Sequence, residues 1–179
     1  MNLGAKVVGF VLGYPRGSKE RGKSELWQAA EKASVSGDDA RIMLTLLYAR
    51  EKDYQRAYDI FAELLQKYPK NYLLQLNMAG LALQMKKPDA AIEQYQDALR
   101  KGEEGQPRFN TMEKANLYNR LGVAFRQKGD LTTALAWFAR VLADENRSQR
   151  STTVARLELG KTFDLLGRRE NAREQYQAV

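Results

Sequence analysis

The sequence predicts an all-α fold in which antiparallel helix pairs repeat along the chain as a solenoid, and three observations carry that prediction. Helix formers dominate, and only 4 prolines interrupt 179 residues, so few breakers stand inside the helices. A small residue, an aromatic four positions later and then an apolar pair recur along the chain. A second pattern of large apolar, small and aromatic residues recurs upstream of that one. Self-similarity of this kind marks a repeat architecture, because each unit buries its apolar face only by stacking on its neighbours.

The downstream pattern runs through Ala57, Phe61, Leu64 and Leu65, then Ala91, Tyr95, Ala98 and Leu99. It returns as Ala134, Phe138, Val141 and Leu142, and again as Ala172, Tyr176 and Val179. Upstream, Leu44 to Tyr48, Leu121-Gly122 to Phe125 and Leu159-Gly160 to Phe163 match one another, while Met78, Ala79 and Ala82 form a weaker copy. These residues resemble the tetratricopeptide repeat, with its W-x-x-L-G-x-x-Y, A-x-x-x-F and terminal proline, and Pro69 stands where that proline belongs. The resemblance covers Asp38 to Val179 and implies a right-handed superhelical stack of helix hairpins.

Successive small residues Ala57, Ala91, Ala134 and Ala172 lie 34, 43 and 38 positions apart, against about 34 in the family. The excess falls at 102–111 and 145–152, which places both insertions between units, extending loops or first helices. The predicted helix pairs are 39–51 with 54–67, 72–86 with 89–101, 112–128 with 131–143, and 151–166 with 169 onward. Four units follow, at 38–71, 72–114, 115–152 and 153–179. Residues 1–37 predict a degenerate hairpin that caps the array, with helices at 3–12 and 18–34 and a turn at Gly13-Tyr14-Pro15-Arg16-Gly17, since end units of solenoids are commonly atypical. The motif residues themselves read as packing: a small side chain lets two helices approach, and the aromatic fills the groove beside it.

With 44% hydrophobic and 28% charged residues, the chain can form a folded core. It has no cysteine and no histidine, which removes thiolate nucleophiles, sulfur-ligated metals and the commonest general base. No phosphate loop, dinucleotide glycine fingerprint or H-E-x-x-H motif occurs. The expectation is therefore a non-enzyme with no catalytic residues, no metal, no cofactor and no small-molecule substrate. Val7 to Leu12 reads as part of a helix and not as a signal peptide. No apolar run approaches the roughly 18 residues of a membrane span, and the compartment stays open.

A partner protein or peptide is the expected ligand. In the family, positions 2, 5, 6, 9, 12 and 13 of each unit line a concave groove, and carried onto this sequence they select a wall that is apolar at one end and polar to basic at the other. Ile42, Met43, Leu46, Leu76 and Leu83 form the first part; Asn77, Asn116, Asn119, Arg120, Arg126 and Lys161 form the second. Amides can pair with an extended peptide backbone and arginines with carboxylates, so a segment carrying acidic residues suits this wall. The clamp by which chaperone-binding members hold an acidic carboxyl terminus is not met, because Ile42, Leu46 and Asn116 stand where Lys, Asn and Lys are required. Net charge +7, with basic clusters at Lys19, Arg21 and Lys23 and at Arg140, Arg147, Arg150 and Arg156, keeps RNA as the rival partner, ranked second because no aromatics interleave the second cluster. Self-association through the open carboxyl-terminal end, where the fourth unit stops within the family pattern, is the third expectation.

Overall fold

The computed structural model describes residues 18–33 and 36–179. The predicted helix at 3–12 and the turn at 13–17 lie outside the described residues. Among the described residues the ordered elements are helices: α1 (Lys19–Lys32), α2 (Gly37–Arg50), α3 (Tyr54–Lys67), α4 (Tyr72–Gln84), α5 (Pro88–Glu103), a short 3-10 turn (Phe109–Thr111), α6 (Lys114–Lys128), α7 (Leu131–Ala143), α8 (Gln149–Leu165) and α9 (Arg169–Gln177). They fall into two compact units, Met1–Asp53 and Tyr54–Val179.

In the first unit, α1 starts where the Ser18 hydroxyl accepts the backbone N–H of Arg21, satisfying one of the donors that a helix start leaves open. Helix α1 packs on α2, and Gly37 allows the approach: a Cβ there would lie 3.1 Å from the Ala30 carbonyl oxygen. Trp27 Nε1 donates to the Tyr48 hydroxyl at 2.9 Å. Glu51, just past the end of α2, gathers Lys19 at 2.8 Å and Lys23, and these two hydrogen bonds hold its carboxyl below the usual range.

In the second unit each helix packs on the next, and α6 also touches α8, so first helices of successive pairs lie side by side. Helix α4 is apolar around most of its circumference, with Leu74, Leu76, Met78, Ala79, Leu81, Ala82 and Leu83 all buried, as expected for a helix enclosed by neighbours. Its one buried amide is satisfied: Gln75 Nε2 donates to the Gln94 carbonyl at 2.9 Å and to Asp97 Oδ2 at 3.0 Å, which removes the penalty of an unpaired buried polar group.

Three first helices in this unit meet an aromatic sixteen residues downstream. Ala79 and Tyr95 are both buried in one cluster, while Gly122 and Gly160 meet the rings of Phe138 and Tyr176 so closely that a Cβ would stand 2.4 and 2.3 Å from ring carbons. The turns after these helices are also copies of one another. Lys86, Gly129 and Gly167 take positive φ, as Lys52 does at the end of α2. At each, the following N–H returns to the carbonyl five residues back, as in Asp130 N to Phe125 O at 3.0 Å, which is the Schellman closure of a helix end.

The two insertions are ordered. In the first, α5 runs on to Glu103 and the 3-10 turn drives Phe109 into the core cluster of α4, α5 and α6. There its ring meets Tyr72 at a centroid distance of 6.2 Å, with Lys101 Nζ 5.2 Å from the ring centre. The second insertion ends in Ser148, whose hydroxyl caps α8 by accepting from Ser151 N, so α8 is longer at its start than the predicted 151–166.

Adding a methyl group at Gly122 or Gly160 forces the Phe138 or Tyr176 ring to move, so Gly122→Ala and Gly160→Ala are expected to lose about 1–3 kcal/mol each. At Gly80 an added Cβ would meet only the Tyr95 hydroxyl, at 3.7 Å, and Gly80→Ala should hold or gain up to about 1 kcal/mol through helix propensity. Urea unfolding of the three variants measures this, and equal losses at Gly80 and Gly122 would contradict the packing account.

Candidate functional site

A cleft of about 340 Å³ opens in the second unit between α4, α6 and α8. Its opening follows from Gly80, which brings no side chain to the α4 wall, so that the hydroxyl of the otherwise enclosed Tyr95 on α5 forms the floor. Leu83, Val123 and Val154 supply apolar wall, and Asn116, Asn119, Arg120 and Arg150 supply polar groups. No carboxylate is among its lining residues.

Arg120 is half-buried, and its Nε donates to Asn116 Oδ1 at 3.0 Å, a neutral partner one helical turn back. Burial pushes the Tyr95 hydroxyl above the ordinary tyrosine range, against the opposing pull of the Arg120 charge; the phenol therefore keeps its proton at neutral pH and can donate. Asn119 is buried, with Nδ2 donating to the Ser151 carbonyl at 2.9 Å, so this amide fastens the start of α8 to α6. Its Oδ1 finds no hydrogen-bond partner.

The residues predicted for the groove divide by position. Leu83, Asn116, Asn119 and Arg120 come together in the cleft. Leu76 is buried within the core cluster and Asn77 is exposed on α4. Arg126 on α6 and Lys161 on α8 both bind the nearly buried Glu158 carboxylate, Lys161 at 2.7 Å, so one of the two positive charges expected at that end is offset. In the first unit, Ile42, Met43 and Leu46 are exposed on α2, at 38%, 55% and 60%. Sequence reasoning assigned Tyr95 to packing and Arg150 to a basic cluster considered for RNA, and placed neither of them, nor Ser151, in the groove. Tyr95 occupies the aromatic packing position, and only its extra oxygen, where Phe61 and Phe138 have none, signalled a second role.

Of the predicted basic cluster, Arg140 lies over the Trp137 ring at 4.6 Å and Arg147 Nη1 donates to the Asp144 carbonyl at 2.7 Å. Glu113, before α6, accepts from Ser148 N at 3.1 Å and from the hydroxyls of Ser148 and Ser151, each at 2.7 Å. Among the described residues no group of three or more His, Cys, Asp or Glu could hold a metal ion, and no helix is long and apolar enough to cross a membrane.

Repeated hairpins that share one turn, one small-to-aromatic contact and a cleft across their first helices define a helical-repeat scaffold protein. The chain belongs to the tetratricopeptide repeat family: two family models, each described as Tetratricopeptide repeat, match residues 48–117 and 115–143. Proteins of this family serve as protein-interaction scaffolds and are generally non-catalytic. No curated protein matches the sequence. Among solved structures, a MamA RS-1 ArsTM double mutant is similar over 90% of this chain and 83% of its own, with 18% identity and a TM-score of 0.63. BtubC (BKLC) from P. vanneervenii aligns over 89% of this chain and 69% of its own, with 19% identity and a TM-score of 0.65. The N-terminal domain of stress-induced protein-1 (STI-1) from C. elegans aligns over 71% of this chain and 98% of its own, with 23% identity and a TM-score of 0.53. At these identities the likeness is one of fold.

The hydrogen bonds from Ser151 and Ser148 hold the Glu113 carboxyl below the usual range, the Ser151 bond most of all. A carboxyl depressed by folding stabilises the fold at pH above its unfolded value, near 4.3, and that contribution fades as pH falls through the lower folded value. Glu113→Gln is expected to lower Tm at pH 7 and to approach the parent as pH drops below about 4; thermal melts across that range measure it.

Proposed function

We propose that the chain is a protein-interaction scaffold that holds an extended segment of a partner across α4, α6 and α8, with the four repeats 38–71, 72–114, 115–152 and 153–179 as its array and 1–37 as a cap. The observation that carries this reading is the cleft at Gly80. It joins the first helices of three successive repeats, offers apolar wall from Leu83, Val123 and Val154, and leaves amide groups of Asn116 and Gln84 on its exposed side. Such a mixture suits a polypeptide, whose backbone needs donors and acceptors while its side chains seek apolar cover. Asn77, exposed on α4, extends the same surface.

The acidic partner segment expected from sequence also fits here, because the cations in this region lie with Arg120 and Arg150 while Arg126 and Lys161 are occupied by Glu158. RNA fits less well, since Arg140 and Arg147 of the basic cluster already have intramolecular partners.

Selection from a library of random dodecapeptides displayed between folded flanks tests the reading, with Gly80→Leu as the discriminating variant. Leucine at this position fills the cleft from the wall while the helix keeps a good former. Peptides selected by the parent protein should lose at least tenfold in affinity for Gly80→Leu, at unchanged helix content by circular dichroism. Selected peptides that bind both proteins equally would overturn the reading, as would tight RNA binding that Gly80→Leu leaves intact.

A further inference from the structure

We propose that the Gly80 cleft is a subsite for one acidic side chain, aspartate or glutamate, at an internal position of the bound segment. This inference rests on the segment-binding reading above and adds to it which residue type the scaffold selects and where.

The first argument is charge balance. The second unit contains a second cationic pair, Arg126 and Lys161, and the fold gives both a carboxylate contact through Glu158, offsetting one of their two charges. Arg120 receives no such partner: its Nε takes the neutral Asn116 amide oxygen, and the cleft it lines contains a second guanidinium, Arg150, and no carboxylate. Arg150 has the Glu113 carboxylate nearby, whereas Arg120 faces the concave space with no anion among the lining residues, and low-dielectric walls focus its potential. The missing counter-charge is one that a ligand can bring.

The second argument is the sense of the hydrogen bonds on offer. Tyr95 remains a neutral phenol at the floor and can donate. Arg120 gives Nε to Asn116 and has the Tyr95 hydroxyl within hydrogen-bonding reach, which orients the guanidinium and leaves its remaining N–H groups for a ligand. Asn116 accepts through Oδ1 and so turns its Nδ2 hydrogens outward from that bond. Against these donors the unpaired acceptor is Asn119 Oδ1, so donors outnumber acceptors, which matches a carboxylate, a group that when ionised only accepts. An amide or hydroxyl side chain could answer Asn119 Oδ1 but would bring no negative charge to Arg120.

The third argument is shape. Leu83, Val123 and Val154 flank the polar floor, so a side chain that enters has apolar contact for its methylene stem and donors for its tip. The recess opens through the absence of a side chain at Gly80 and lies between helices from three repeats, midway along the unit. At about 340 Å³ the cleft is larger than one side chain, so the acidic side chain would enter it together with part of the passing segment. A chain terminus would add a backbone carboxylate beside the last side chain, and the lysine-rich set that holds such a terminus is absent, with Ile42, Leu46 and Asn116 in those places.

The test uses the peptides selected above, whose two ends are blocked by the flanking domains. Among clones that lose binding to Gly80→Leu, one position should be enriched in Asp or Glu. For a representative clone made as an end-capped synthetic peptide, changing that residue to the matching amide should weaken binding to the parent protein by roughly ten- to a hundredfold, the range for a hydrogen-bonded charge. Against Arg120→Gln the acid and amide peptides should bind within about threefold of each other, with the amide peptide bound as it is by the parent protein, a control that also reports an intact cleft. Tyr95→Phe, which keeps the packed ring, should narrow the acid-to-amide ratio in part. Clones sensitive to Gly80→Leu but without acidic enrichment would overturn the subsite and leave the segment reading standing. An acid preference that survives Arg120→Gln would overturn it equally, and a library without Gly80→Leu-sensitive clones would remove both.

Discussion

The second unit depends on how closely two helices of a hairpin approach at one point, where the backbone of the first helix meets an aromatic ring carried by the second. At Gly122 and Gly160 the ring occupies the volume a methyl group would need, and at Ala79 a single methyl remains beside Tyr95. Contact at this range brings many carbon pairs to their optimum separation, and interiors packed at crystal-like density tolerate little change in it. The small residue is therefore a spacing device. It sets the hairpin, the hairpin sets where the next first helix lies, and the row of first helices creates the face on which the cleft opens.

One substitution within this device converts packing into chemistry. Phe138 fills its groove with carbon alone, whereas Tyr95 fills the equivalent groove and extends an oxygen beyond it, to the place left open by Gly80. A buried hydroxyl needs a partner or a reason to lack one. Here it faces a recess shared with Arg120, so a residue whose position in the repeat is structural also contributes to recognition. Asn119 shows the reverse: a residue at a groove position spends its amide on the Ser151 carbonyl and supports the site from behind.

Helix positions and the repeat were legible because periodicity and turn residues are local signals. Ala57, Ala91, Ala134 and Ala172 announce the second helices, and the observed helices begin and end within a few residues of the expected ones. The division of the groove residues was less legible. Counting positions along a repeat says which residues face one way, but says nothing of what arrives from another repeat to meet them. Arg126 and Lys161 were visible as groove positions, yet their capture by Glu158 is a fact of three-dimensional distance. Leu76 shares the face of Asn77 by counting but is enclosed by the neighbouring helices. Tyr95 was hidden for a different reason: an aromatic expected by the pattern draws no attention to its hydroxyl.

The stretch 102–111 reads in the sequence as surplus length, and in the structure it ends with Phe109 seated beside Tyr72 and Lys101 in the core. Repeat arrays grow and shrink over evolutionary time by gaining and losing whole modules, which works when each module presents standard faces to its neighbours. The second repeat is not standard in that sense. Its insertion works as a key cut for one lock, so excising it would leave a ring-sized void, and copying the repeat would introduce a second key with no lock to receive it. The seating of α6 against α4 and α5 thereby depends on a contact outside the repeat motif, and the cleft that α4 and α6 share with α8 inherits that dependence.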